Sequence, residues 1–195
     1  MKKILLLVFC VFASEILTAQ QIPQFSQNMF NKLYNNPGFA GSKQAICATT
    51  MHRSQWMGFD GAPTQLNLSI DAAVPMLNGG IGLNVVEDNI AQFSNLGIHT
   101  SYAYRTQIGI GQVGMGISVG VFQSGLDGGF LRSAQSADPA IPTGDVIGSK
   151  LDIGAGLYFN TQDMYIGFSS AHMTEPVIEW SDGKDFNLSR HYFLW

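Results

Sequence analysis

Charged side chains are scarce in this sequence. Only 12% of its 195 residues are Asp, Glu, Lys or Arg, against roughly 25% in an ordinary soluble domain. A disordered chain is rich in charge and poor in apolar residues. Here hydrophobic residues make up 46% and aromatics 11%, so disorder is excluded. Basic runs are missing after Lys3, the net charge is −4 and the pI is about 5.4, which argues against a nucleic-acid binder. Two cysteines are too few for a disulfide framework. Long apolar runs are absent beyond the first twenty residues, and no later stretch approaches the 18 or more of a membrane-spanning helix. What remains is a chain long enough for one domain with a real core, and it carries 22 glycines.

The first residues address the chain to export. Lys2 and Lys3 form a positive n-region, and residues 4–13 are an unbroken apolar run that includes Cys10. Leu17-Thr18-Ala19 offers a cleavage site before Gln20. This is the architecture of a signal peptide over residues 1–19, too short to span a bilayer. Lipoprotein processing at Cys10 would need small residues before it, and Val8-Phe9 are not small. After cleavage, 8 basic and 13 acidic residues remain, a net charge of −5, with Cys47 as the single thiol. A lone cysteine of this kind reads as a small apolar residue rather than a reactive centre.

The remainder alternates with period 2, the period of a strand. Leu66, Leu68, Ile70, Ala72 and Val74 share one face, and Gln65, Asn67, Ser69 and Asp71 the other. Residues 96–108, 112–122 and 151–159 repeat the pattern, the second with glycine and serine on the polar face and the third with Asp152, Gly154 and Gly156. Further strands are expected at about 45–56, 80–87, 164–172 and 189–195, eight in all. Turn chemistry separates them at Gly58 to Gly61, Pro75 to Gly80, Glu87-Asp88-Asn89, Gly109-Ile110-Gly111 and Asn160 to Asp163. Two connections are long, 123–148 and 173–187. Alternation alone fits a soluble sandwich as well. Export, low charge, a polar face of Gly, Ser, Asn and Gln, and short turns alternating with long loops favour an all-β, antiparallel transmembrane β-barrel. Tyr102, Tyr104, Tyr158, Phe159, Tyr165, Phe168, Tyr192 and Trp195 are placed as interfacial girdle residues.

Several catalytic-looking motifs fail on context. Gly109 to Gly114 matches the dinucleotide fingerprint, but that loop must open a helix, and here it opens a strand. Gly116-Ile117-Ser118-Val119-Gly120 matches the nucleophile elbow, yet the serine sits mid-strand. His52, His99, His172 and His191 are scattered without metal-ligand spacing. Glu175 and Glu179 flank Pro176 and read as solvated loop carboxylates rather than an acid/base pair. No catalytic residue, cofactor or metal is expected.

Residues 20–63 do not alternate. Pro23-Gln24-Phe25-Ser26-Gln27 is followed by Met29-Phe30-Asn31, Leu33, Asn36-Pro37 and Ala40-Gly41. Then come Arg53, Gln55-Trp56, Gly58 and Gly61-Ala62-Pro63-Thr64. This order resembles the PorP/SprF family of type IX secretion system membrane proteins. Gly80-Ile81-Gly82-Leu83 with Asp88, and Tyr102-Ala103-Tyr104-Arg105, echo later strands of that family. The chain departs from the family pattern at Ile22, where Asp is usual, at Lys32, where Pro is usual, and at Gly38-Phe39.

The resemblance implies a bacterial outer-membrane barrel without enzymatic activity. Its partners would be the secretion core, the periplasmic ring proteins, and one secreted client such as a gliding adhesin, in contact with outer-membrane lipid. The residues quoted from 23–63 are then candidates for partner contact, or they only seal the barrel's end. A passive pore is the alternative, though no ring of like charge forms a filter. Residues 20–44 are expected to fold into the barrel mouth or plug its bore, and 45–195 to form strands. Arg53 either stacks on Trp56 or faces the bore. Family barrels are longer, so the chain is expected to stop before the barrel is complete. The other reading is a closed eight-stranded barrel ending on the aromatic Phe193 and Trp195.

Overall fold

The computed structural model describes residues 22–131, 142, 144–180 and 185–195. The expected signal peptide, 1–19, lies outside the described residues. Three short helical turns come first: a 3-10 turn at Asn28–Phe30, α1 at Lys32–Asn35, and a second 3-10 turn at Pro37–Phe39. The strands follow: β1 (Cys47–Ser54), β2 (Thr64–Val74), β3 (Gly79–Ile90), β4 (Phe93–Ile108), β5 (Gly111–Leu126), β6 (Val146–Asn160) and β7 (Tyr165–Ala171). Two three-residue strands, β8 (Val177–Glu179) and β9 (Asp185–Asn187), precede β10 (His191–Leu194). No helix among the described residues is long and apolar enough to cross a membrane.

Eight strands make one antiparallel sheet in the order β1 to β7 and then β10, curved into a half-barrel whose edges are β1 and β10. The β4–β5 ladder is unbroken from Phe93 opposite Leu126 to Ile108 opposite Gly111. Strands of 15 or 16 residues, as in β4, β5 and β6, exceed the roughly 9–11 that cross a bilayer. They therefore extend past the apolar band.

The sheet is inside out relative to a soluble protein. Leu66, Leu68, Ile70, Ile98, Ile117 and Leu151 point outward and stay exposed, Ile117 at 57%. Their alternate neighbours Gln65, Asn67, Ser69, Asp71, Asn84, Ser101 and Asp152 are buried on the concave face, Asn67 at 0%. A β-sandwich hides its apolar face. A membrane barrel presents it to lipid and keeps the polar one within. The buried apolar cluster is small and lies inside the bore: Leu33, Phe39 and Ala40 from the N-terminal segment meet Ala103 and Tyr158 of the sheet.

Several sequence expectations are corrected. Glu87-Asp88-Asn89 is not a turn; it lies within β3, with Asp88 opposite Asn95. Of the three, Asp88 lies on the polar concave face, whereas Glu87 and Asn89 fall on the outer face, where Asn89 Nδ2 donates to Glu87 Oε1 at 2.9 Å. The chain reverses instead at Ala91, whose φ is 52°, and Gln92. Strand β6 begins at Val146 rather than 151. The connection after β7 contains the β8–β9 hairpin, whose Ile178 is fully buried against Gly148 of β6. Tyr158 is no girdle residue. It points inward and meets Phe39 edge-on at 5.2 Å.

Candidate functional site

The site is the bore and the segment that fills it. Asn36 is the anchor: its side-chain oxygen accepts from Gly38 N at 2.8 Å, and its Nδ2 donates to Leu157 O of β6 at 2.9 Å. Pro37 then sits at the first position of its 3-10 turn, where a missing N–H costs nothing. Asn31 donates to the side chains of Asn67 and Ser69 on β2, the latter at 2.8 Å. Asn84 donates to the same Ser69 hydroxyl at 2.6 Å. Ser169 of β7 donates to Asn35 O. Gly41, at φ 70°, donates its N–H to Asp71 Oδ2 at 3.0 Å.

Arg105 of β4 holds the same segment from the other side. Nη1 donates to Gly38 O at 3.0 Å and to Ala40 O at 3.4 Å, Nη2 to Asn160 Oδ1 at 3.0 Å, and Nε to Gln112 Oε1 at 3.1 Å. A planar guanidinium reaches this fan of acceptors; an ammonium does not. The backbone approaches the sheet closely because glycines line its seat. A Cβ on Gly116 would collide with the backbone of Pro37 and Gly38, one on Gly156 with the Asn36 side chain, and one on Gly80 with Ala40 and Gly41. The glycine stripe thus forms a seat for residues 36–41 rather than the wall of an open channel.

Tyr34 donates its hydroxyl to Pro23 O at 3.0 Å and meets Phe25 edge-on at 5.5 Å. Burial, and secondarily the nearby Asp88, push its phenol well above the usual range, so it stays protonated and keeps donating. Lys32 lies 3.1 Å from the centre of the Tyr165 ring and donates to Tyr158 OH at 3.2 Å. Burial, then Lys43, lower its pKa.

The candidate residues divide into two groups. Pro23, Phe25, Asn31, Asn36, Pro37 and Gly41 are tied into the bore, whereas Gln24, Ser26, Gln27 and Phe30 are exposed at its surface. Arg53 faces inward and donates to Gln24 O and, at 3.5 Å, to Gln65 Oε1. That selects the bore-facing alternative for Arg53; Trp56 points away at 68% exposure. Gln55 N donates to Pro63 O at 2.9 Å, closing the β1–β2 loop. Trp56, Gly58 and Gly61 take positive φ there, at 54°, 100° and 76°. Gly61 O accepts from Ala91 N at 2.9 Å, so this loop and the β3–β4 turn meet at one end of the sheet. Ala62 is half-buried and Pro63 buried.

Sequence reasoning missed Arg105, Asp71, Asn160 and the glycine seat. The available signal was the period-2 placement of Gly114, Gly116, Gly154 and Gly156 on one face. It also missed a trio centred on the buried Asp152: His99 Nε2 and His172 Nδ1 each donate to Asp152 Oδ2 at 2.8 Å. These residues lie 53 and 20 positions apart in sequence, and only strand pairing unites them. Ser118 and Ser170 line a cavity together with this trio, but among the described residues the Ser170 hydroxyl has no hydrogen-bond partner, so it forms no nucleophile–base pair. Among the described residues no group of three His, Cys, Asp or Glu is arranged to hold a metal ion.

No curated protein and no solved structure matches the chain. A family model described as type IX secretion system membrane protein PorP/SprF matches residues 17–195, nearly the whole length and including both polar-aromatic motifs. With the apolar outer face and the polar bore, that match identifies the chain as a member of the PorP/SprF family of membrane proteins of the type IX secretion system.

Proposed function

We propose that the chain is an outer-membrane component of type IX secretion that works through protein contacts. It assists export or surface attachment of one secreted client, such as a gliding adhesin, alongside the secretion core and the periplasmic ring proteins. Residues 1–19 serve as a cleaved signal peptide. Residues 20–44 serve as a plug, and the exposed part of the motif, Gln24, Ser26, Gln27 and Phe30 with the Trp56–Phe59 loop tip, is the surface that meets a partner. The protein catalyses no reaction. One observation carries this reading: an apolar outer face is combined with a bore that the chain itself fills, from Asn31 on β2 to Asn36 on β6. A filled bore supports a scaffold more than a conduit.

The polar concave face supports a second reading, a passive solute pore. Pull-down of the tagged full-length protein from its own outer membrane, with partners identified by mass spectrometry, separates the two. Recovery of secretion-core proteins or one large adhesin is the expected result. Recovery of the folded barrel alone transfers the argument to the pore.

A further inference from the structure

We propose that the bore contains a site for an organic cation bearing N–H donors, an alkylammonium or guanidinium head, with Asp152 as its counter-ion. The inference stands on the cavity and not on the secretion role. A cavity of about 90 Å³ separates the N-terminal segment, at Pro23, Tyr34 and Pro37, from the inner faces of β3 to β7. That exceeds the roughly 10–15 Å³ a single water needs, and it accommodates a cationic head with a short stem.

The chemistry of the wall selects the ligand. Asp152 is 2% exposed, and both imidazole N–H bonds fall on its Oδ2. Its Oδ1 is buried and has no partner among the described residues. Asp88, 6% exposed, and Asn95 line the same cavity, and each has a buried side-chain oxygen without a partner among the described residues. These three atoms are acceptors, and an unpaired buried acceptor is costly until a donor reaches it. An anion would meet Asp88 and Asp152; a neutral apolar molecule would leave the oxygens unpaired. Phe122, edge-on to His172 at 5.8 Å, and Phe193 supply aromatic walls, which favour a cation. Leu33 and Val86 give the stem an apolar surface. A bare metal ion is not the fit, since both imidazole nitrogens nearest the carboxylate carry its hydrogen bonds.

The cation has two possible sources, a free amine or the Lys or Arg side chain of a partner protein. The test uses the full-length protein in lipid nanodiscs at constant ionic strength. Calorimetric titrations with n-butylammonium chloride, ethylguanidinium chloride and 1-pentanol are run beside a Gly-Lys-Gly peptide. Saturable one-to-one binding of the cations, about tenfold or more tighter than the alcohol, is expected. Uptake of the free amine identifies a small-molecule source, and uptake of the peptide alone identifies a partner's side chain. Asp152→Asn should weaken binding by about tenfold or more. Should that variant misfold, Phe122→Leu leaves the carboxylate in place and should weaken the cations severalfold while sparing the alcohol. Water as the sole occupant, with no saturable binding of any cation, overturns the proposal. So does equal binding of cation and alcohol, or unchanged binding by folded Asp152→Asn.

Discussion

Gly116 and Arg105 act on the same stretch of backbone from opposite principles. Gly116 keeps its place by having no side chain, because a Cβ there would collide with Pro37 and Gly38. Gly116→Val should therefore unseat residues 36–41 and cost about 1–3 kcal/mol, the usual range for forced overpacking. Denaturant unfolding in detergent reads the loss, and faster proteolysis between Gln24 and Asn31 shows where it falls. Arg105 holds the stretch by donating to Gly38 O, Ala40 O, Gln112 and Asn160. Arg105→Lys keeps the charge but not the fork, and a loss of about 1.5–3 kcal/mol is expected from hydrogen bonds to a charged donor. Unchanged stability in that variant would mean that charge, not geometry, holds the segment. Neither role is visible in a motif. Arg105 stands at the end of an alternating Tyr-Ala-Tyr-Arg run, and only the fold places it against residues 38 and 40.

At the scale of the element, each strand has one face for lipid and one for the bore. Ile117→Arg near the middle of β5 should cost about 2–4 kcal/mol, because a guanidinium must then face hydrocarbon. Thr106→Arg, near the end of β4, should cost only about 0–1 kcal/mol, since the interface is close. Folding into phosphatidylcholine vesicles against denaturant measures both. Equal penalties would contradict the membrane depth assigned to these positions. The strands were legible to different degrees for physical reasons. Thr64–Val74 is read to the residue because its alternation is clean and Pro75 ends it. The end of β3 is missed because Asp88 and Asn89 resemble turn residues when the burial of Asp88 is unseen. The β8–β9 hairpin, with three residues per strand, is too short to show a period.

For the whole molecule, the filled bore and the two sheet edges make separate predictions. Deleting residues 22–44 from the full-length protein would leave Asn67, Asp71, Asn84 and Arg105 lining an empty polar bore. Planar-bilayer conductance should then rise above the low value expected of the intact protein; equal conductance would show that the segment does not block a path. Among the described residues β1 and β10 are the outermost strands of the sheet, and an edge exposed to hydrocarbon costs several kcal/mol per unsatisfied backbone group. Residues 20–195 expressed by themselves should therefore associate through these edges rather than insert as monomers. Light scattering with and without added vesicles checks that outcome.

Local chemistry determined much of this protein. Period-2 alternation dictates strands, scarce charge with Gly, Ser and Asn on one face points to a barrel, and the residues from Pro23 to Pro63 carry the family. These features are legible because each rests on neighbours a few positions apart. Tertiary structure alone decided which side chains hold the N-terminal segment in the bore. Asn36 reaches Leu157 across 121 residues, Arg105 reaches Gly38 across 67, and His99 and His172 converge on Asp152. Such contacts depend on sheet curvature and strand register, which bring distant inward-facing residues together, and no local pattern records which of them will meet.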